Sequence, residues 1–173
     1  MKSTLIAVLL GLALAGSARA TDVAVKLTGV HLCCRSCVRG AEAAAKVSGV
    51  TVAVDGDEGT VSITGPDQAS VQKSVEGLIA GGFYGKTDDK SVALKAATGA
   101  KGAKVASLEV AGVHLCCDKC VKALKTAVGT VPGVKETVAV KGAKTFTVTG
   151  EFTDGEVFAA LEKAGLSGKV AKP

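Results

Sequence analysis

The side chains best suited to chemistry lie in two blocks, His31-Leu-Cys-Cys-Arg-Ser-Cys-Val38 and His114-Leu-Cys-Cys-Asp-Lys-Cys-Val121. Thiolate sulfur is a soft donor that suits Cu(I) and zinc, and imidazole nitrogen also ligates such ions. Cys34 and Cys37, like Cys117 and Cys120, are three residues apart, a spacing that on a helix sets two sulfurs side by side. Two converging sulfurs suit a two- or three-coordinate soft ion. Cys33 and Cys116 can add a third sulfur, and His31 and His114 a nitrogen, which gives a Cys₃His set compatible with tetrahedral zinc.

A disulfide framework is the other use of six cysteines in an exported chain. The spacing resists it. Adjacent Cα atoms are about 3.8 Å apart, below the usual disulfide range that begins at about 4.4 Å, so Cys33–Cys34 and Cys116–Cys117 are poor pairs. Each block closes at most one relaxed local bridge and leaves one thiol over. That thiol requires a metal, a partner or its counterpart in the other block.

The elements that position the blocks repeat with them, at an offset of 83 residues (31 to 114). Val23-Ala-Val-Lys-Leu27 and Ala106-Ser-Leu-Glu-Val110 alternate as half-buried strands do. After the cysteines, Val121, Leu124, Val128 and Val131 recur at helical steps, as do Val38, Ala41, Ala45 and Val47 more weakly. Ser48-Gly49-Val50 and Pro132-Gly133-Val134 end those helices. Strands follow over 50–54 and 60–64 in the first copy and over 137–140 and 145–149 in the second. A second helix buries Val71, Val75, Leu78 and Ile79, or Val157, Ala160, Leu161 and Ala164, before a short last strand.

The fold class is therefore α+β: two tandem ferredoxin-like β-α-β-β-α-β domains, each a four-stranded antiparallel sheet with two helices on one face. The boundaries are 1–20 for a signal peptide, 21–90 for the first domain, 91–104 for an alanine, glycine and lysine linker, and 105–173 for the second domain. If flexible, the fourteen linker residues span about 20 Å, enough for the two sites to meet.

Residues 1–20 have the parts of a secretory signal: Lys2, an apolar run from Leu5 to Ala15, and Ala18-Arg19-Ala20 before the cut. The run is shorter than the roughly 18 residues a membrane span needs. After signal removal no membrane span is expected, and the localisation is periplasmic or secreted. Of 21 basic side chains Lys2 and Arg19 fall in this segment, leaving 19 against 16 acidic ones, a net charge of +3. That excess and an aromatic content of 3% give no support for nucleic acid as a partner.

The cysteine blocks stand where a loop becomes a helix. Free N–H groups and the helix dipole there favour thiolates, and Arg35, Arg39, Lys119 and Lys122 add positive charge, so the thiols are expected to be more acidic than free cysteine. Phe83 and Tyr84 read as core and edge packing, because Leu166 and Ser167 replace them in the second copy. Lys86 and Lys169 read as surface lysines. The acidic loop 55–58 lacks a calcium-loop pattern and is assigned no function.

Each copy resembles the heavy-metal-associated domain of copper chaperones, of the N-terminal modules of metal-pumping P-type ATPases and of the exported mercury-binding protein of mercury-resistance systems. The matching residues are Gly29 and Gly112 after the first strand, the pairs Cys34/Cys37 and Cys117/Cys120, the Gly-Val after the first helix, and the turns Gly82-Phe83 and Gly165-Leu166. The resemblance implies binding of Cu(I) or a related soft ion through the two cysteines and its transfer by ligand exchange. Here His-Leu-Cys intervenes before the Cys-x-x-Cys pair, which lengthens the loop by two residues and adds two candidate ligands.

The function read from the chain is that of a non-enzymatic, exported soft-metal binder for transport, transfer or sequestration. Its ion is Cu(I) by preference, with zinc compatible, and its partner is a metal-transporting protein or another metal carrier. The alternatives are a periplasmic thiol-disulfide redox protein and a structural or interaction protein stapled by zinc or disulfides. No paired carboxylates, serine triad or phosphate-cradling loop supports hydrolytic or nucleotide chemistry.

Overall fold

The computed structural model describes residues 22–171; the signal segment lies outside them. Strand β1 (Val23–Leu27), helix α1 (Arg35–Ala44), strands β2 (Thr51–Asp55) and β3 (Thr60–Gly65) and helix α2 (Gln68–Ala80) form the first copy. The second copy has β4 (Lys104–Ala111), α3 (Asp118–Val128), β5 (Val134–Val138), β6 (Thr145–Thr153), α4 (Asp154–Lys163) and β7 (Lys169–Val170). Both sheets are antiparallel, ordered β1-β3-β2 and β5-β6-β4-β7. The α+β layering expected from the repeat is present.

The first sheet has three strands where four were expected. Its fourth is cut to one rung, Thr28 against Lys86, with both N–H···O bonds at 2.8 Å. The corresponding rung in the second copy, Ala111 against Lys169, is extended by Val110 against Val170. Beyond Thr87 the chain reads Asp88-Asp89-Lys90, residues that strands disfavour, and the Asp89 carboxylate accepts the Ser91 N–H at 2.8 Å in a local turn. β5 begins three residues earlier than the sequence pattern suggests and ends at Val138, because Gly133 and Gly150 let the two backbones meet without side chains between them.

Each helix that follows a cysteine block buries one stripe. In α1 the buried positions are Cys37 and Ala41, continued by Ala45; in α3 they are Cys120, Leu124 and Val128. The four-residue step keeps them on one face. The last cysteine of each block is thus the top residue of the core stripe, with no exposed surface.

The two copies pack against each other about a pseudo-twofold relation. Phe83 and Leu166, 83 residues apart, bridge as an antiparallel pair. Tyr84 N–H donates to Gly165 O at 3.1 Å and Ser167 N–H to Gly82 O at 3.0 Å, the same contact made in both directions. The turn after the second helix of each copy therefore lies on the loop before the cysteines of the other. A Cβ on Gly82 would strike the backbone of Gly112 and His114, and one on Gly165 the backbone of Gly29 and His31. This reciprocity is what an isologous dimer interface has, here built within one chain.

The linker is not a free tether. Its first part is bound to the first copy: Ala93 N–H donates to Gln72 Oε1 at 2.8 Å, Tyr84 Oη donates to Leu94 O at 2.9 Å, and Val92 is buried. Its last part is bound to the second copy. Val170 N–H reaches Thr98 O at 2.7 Å, and the Asp154 carboxylate accepts Lys101 N–H at 2.9 Å and Ala103 N–H at 3.0 Å. Backbone groups that a mobile linker would leave to water are satisfied by the protein.

Candidate metal centre

The seam between the copies brings the two cysteine blocks together. Cys34 and Cys117 are the extended N-cap residues of α1 and α3, and Cys37 and Cys120 lie one turn inside, so two helix N-termini face the same point. Across the seam Cys37 Sγ and Cys120 Sγ are 3.6 Å apart. Cys33 Sγ lies 3.4 Å from both Cys117 Sγ and Cys120 Sγ, while Cys116 Sγ lies 3.5 Å from Cys34 Sγ and 3.3 Å from Cys37 Sγ. Within each block the separations are 3.6 and 3.7 Å. All six cysteines are unbridged thiols in one cluster.

The sequence placed one candidate site in each block. The structure merges them: the close sets of donors include Cys37, Cys116 and Cys120, and also His31, Cys33 and Cys120, both drawn from the two copies. Spacing along the chain carries no signal for this, since contact across the seam depends on the remote turns at Gly82 and Gly165.

The histidines are held between the copies. His114 stacks on Phe83, with ring centroids 4.7 Å apart and planes at 32°. Gly40 leaves the space, since a Cβ there would stand 2.7 Å from His114 Cε1. The His31 main chain is fixed by its N–H donating to Gly165 O at 3.2 Å. Among the described residues, the Nε2 atoms of both His31 and His114 are buried with no hydrogen-bond partner. Burial lowers the affinity of both rings for a proton, and His114 lowers that of His31 further. A neutral imidazole with a free nitrogen is a competent ligand.

The thiols are not uniformly acidic, which corrects the expectation from their neighbours. The backbone N–H of Cys37 holds Cys34 down to about 6, and that of Cys120 lowers Cys117. Both sulfurs stand at a helix start, where free backbone N–H groups favour the thiolate. Burial raises Cys33, Cys116 and Cys120, and other thiols add to the rise in Cys33 and Cys116. Arg35, Arg39, Lys119 and Lys122 are all exposed. Cys34 and Cys117, at the helix starts, are therefore more readily ionised than Cys33, Cys116 and Cys120.

Residues 108–167 match the model of the heavy-metal-associated domain. Three solved structures resemble the chain. Oxidized MerP from Ralstonia metallidurans CH34 is 20% identical over 40% of this chain and 100% of its own, with a TM-score of 0.34. The apo HMA domain of the copper chaperone for superoxide dismutase is 25% identical over 49% of this chain and 85% of its own, at 0.35. The N-terminal soluble domains of Bacillus subtilis CopA are 16% identical over 88% and 95%, at 0.31. All three TM-scores are low, so the reading of the centre rests on its own geometry. No curated protein matches the sequence. Among the described residues no helix is long and apolar enough to cross a membrane.

Proposed function

We propose that the protein is an exported binder of Cu(I) or a similar thiophilic ion, zinc included, that carries, transfers or sequesters it. In this reading residues 21–90 are a second heavy-metal-associated domain, 91–104 a linker, and 105–173 the domain whose core is 108–167. The ligands are Cys33, Cys34, Cys37, Cys116, Cys117 and Cys120, assisted by His31 and His114. The partner that delivers or receives the ion is a metal transporter or another carrier. Residues 1–20 act as the export signal, and the protein works in the periplasm or outside the cell without catalysing a reaction.

One observation carries this reading: six thiols converge at 3.3–3.7 Å, and His31 joins Cys33 and Cys120 in one close set of donors. Soft metals are what such a donor set binds. Metal analysis by mass spectrometry of protein purified under anaerobic, reducing conditions tests it. Bound Cu(I) or another thiophilic ion, lost on oxidation of the thiols, is the expected result; protein that retains none sinks the proposal.

A further inference from the structure

We infer that the six thiolates form a single polynuclear site that takes several Cu(I) ions at once and shares sulfurs between them, rather than one ion held by each copy. This rests on the metal-binding reading and extends it to how many ions bind and how. The sulfurs form a strip of edge-sharing triangles: Cys34–Cys37–Cys116, Cys37–Cys116–Cys120, Cys33–Cys37–Cys120 and Cys33–Cys117–Cys120. Every edge lies between 3.3 and 3.7 Å. A metal–thiolate bond is about 2.3 Å long, so three sulfurs can hold one ion together when their edges are at most ~4.0 Å. Each triangle meets that limit as it stands.

The sharing follows from membership. Cys37 and Cys120, fully buried at the centre, belong to three triangles each, and Cys34 and Cys117 at the ends belong to one. Central sulfurs are in the position of bridging ligands. A single three-coordinate ion would use one triangle, and a tetrahedral ion would leave two sulfurs over. Charge points the same way. Among the described residues no lysine or arginine side chain hydrogen-bonds to any of these sulfurs, whose partners are one another. Clustered thiolates without counter-charge are strongly disfavoured in a buried place, and one monovalent ion does not neutralise them.

Native mass spectrometry of the purified protein, titrated with the acetonitrile complex of Cu(I) under argon, counts the ions. We expect saturation above two ions, near one per triangle, with one- and two-ion forms sparse during the titration and a copper–copper vector in X-ray absorption. Cys34→Ser lowers the saturating number by one, while Cys37→Ser removes the multi-ion form; circular dichroism checks that each is folded. If Cys37→Ser fails to fold, the unaltered protein and Cys34→Ser decide the matter. Saturation at one or two ions without copper–copper scattering overturns the inference and leaves soft-metal binding standing. Protein that holds no copper and no other thiophilic ion overturns both.

Discussion

The two copies agree around the sulfurs and differ at the rims. Both place a cysteine at the helix N-cap, a buried cysteine one turn later, and a glycine turn on the partner copy's loop. Above this core each β-hairpin is bonded to its own cysteine loop, Val30 N–H to Gly59 O at 2.9 Å and Gly142 N–H to Leu115 O at 2.7 Å. The first hairpin is acidic, with exposed Asp55, Asp57 and Glu58. The second exposes Val138 and Val140, at 50% and 63%, beside Lys141 and Lys144. What an ion would contact is held alike in the two copies, and what a protein would contact is not.

The packing behind the histidines shows the same contrast on a smaller scale. Large Phe83 faces His114 over Gly40, while the positions at the same offset hold Leu166 and Ala123. Volume lost on one side of the seam is regained on the other, so the two halves reach similar sulfur positions by different packing.

Substitutions at the shared centre weigh most. Cys37→Ser and Cys120→Ser are expected to weaken Cu(I) binding equally, on the order of a hundredfold, or about 2.7 kcal/mol. Competition against a chromophoric Cu(I) chelator reads this directly. If each variant instead silenced only half of the capacity and left the other half at full affinity, the copies would be separate sites.

Next comes the seam. Gly82→Ala and Gly165→Ala place a Cβ against the other copy's backbone at positive φ, 93° and 76°. The conformational strain alone costs about 1–2 kcal/mol. A fall in thermal midpoint of roughly 4–8 °C is expected for 2 kcal/mol in a protein of this size, with similar values for the two variants. A large difference between them would show that the interface is less symmetric than its hydrogen bonds.

The helix starts offer a subtler contrast. Asp67 caps its own helix by accepting the Ser70 N–H at 2.7 Å, whereas Asp154 at the start of α4 accepts two N–H groups of the linker. Burial pushes the Asp154 carboxyl up, but the N–H groups of Lys101, Gly155, Ala103 and Gly102 outweigh it and hold it below the ordinary range. Its stabilising effect is therefore complete above the unfolded value of about 4 and disappears as the pH falls through the lowered folded value. Asp154→Asn should cost about 1.5 kcal/mol at neutral pH and flatten the acid limb of the stability profile, measured by urea melts between neutral pH and strong acid.

The smallest expected effect tests the compensation. Gly40→Ala crowds His114 and destabilises by about 1 kcal/mol despite the better helix propensity of alanine. Added to Phe83→Leu, which imports the second copy's residue, it should cost less than the sum of the two changes. An additive double-mutant cycle would separate Gly40 from Phe83.

Much of the fold was legible because its signals are local. Alternation marked β1 and β4, helical steps marked α2 and α3, and identical Cys-x-x-Cys spacing fixed where the thiols enter their helices. The fourth strand of the first copy was expected but is cut to one rung, because its sequence turns polar after Thr87. The linker length left room for the two sites to meet, but nothing local in the sequence fixed how they join. Gly82 and Gly165 read as turns within each copy, but the backbone each one meets lies in the other copy. The docking of the linker was hidden likewise, because nothing near Gln72 or Asp154 in the chain says that their side chains accept N–H groups from residues 21 or 53 positions away.

That docked linker has a consequence in mass action. A centre assembled from two separate proteins comes apart on dilution, and its occupancy then depends on how much protein is present as well as how much metal. Here the segment between the copies is anchored at both ends and sets the two sulfur groups at a fixed high effective concentration. Capture of metal by this chain depends on the free ion alone, at any abundance of the protein.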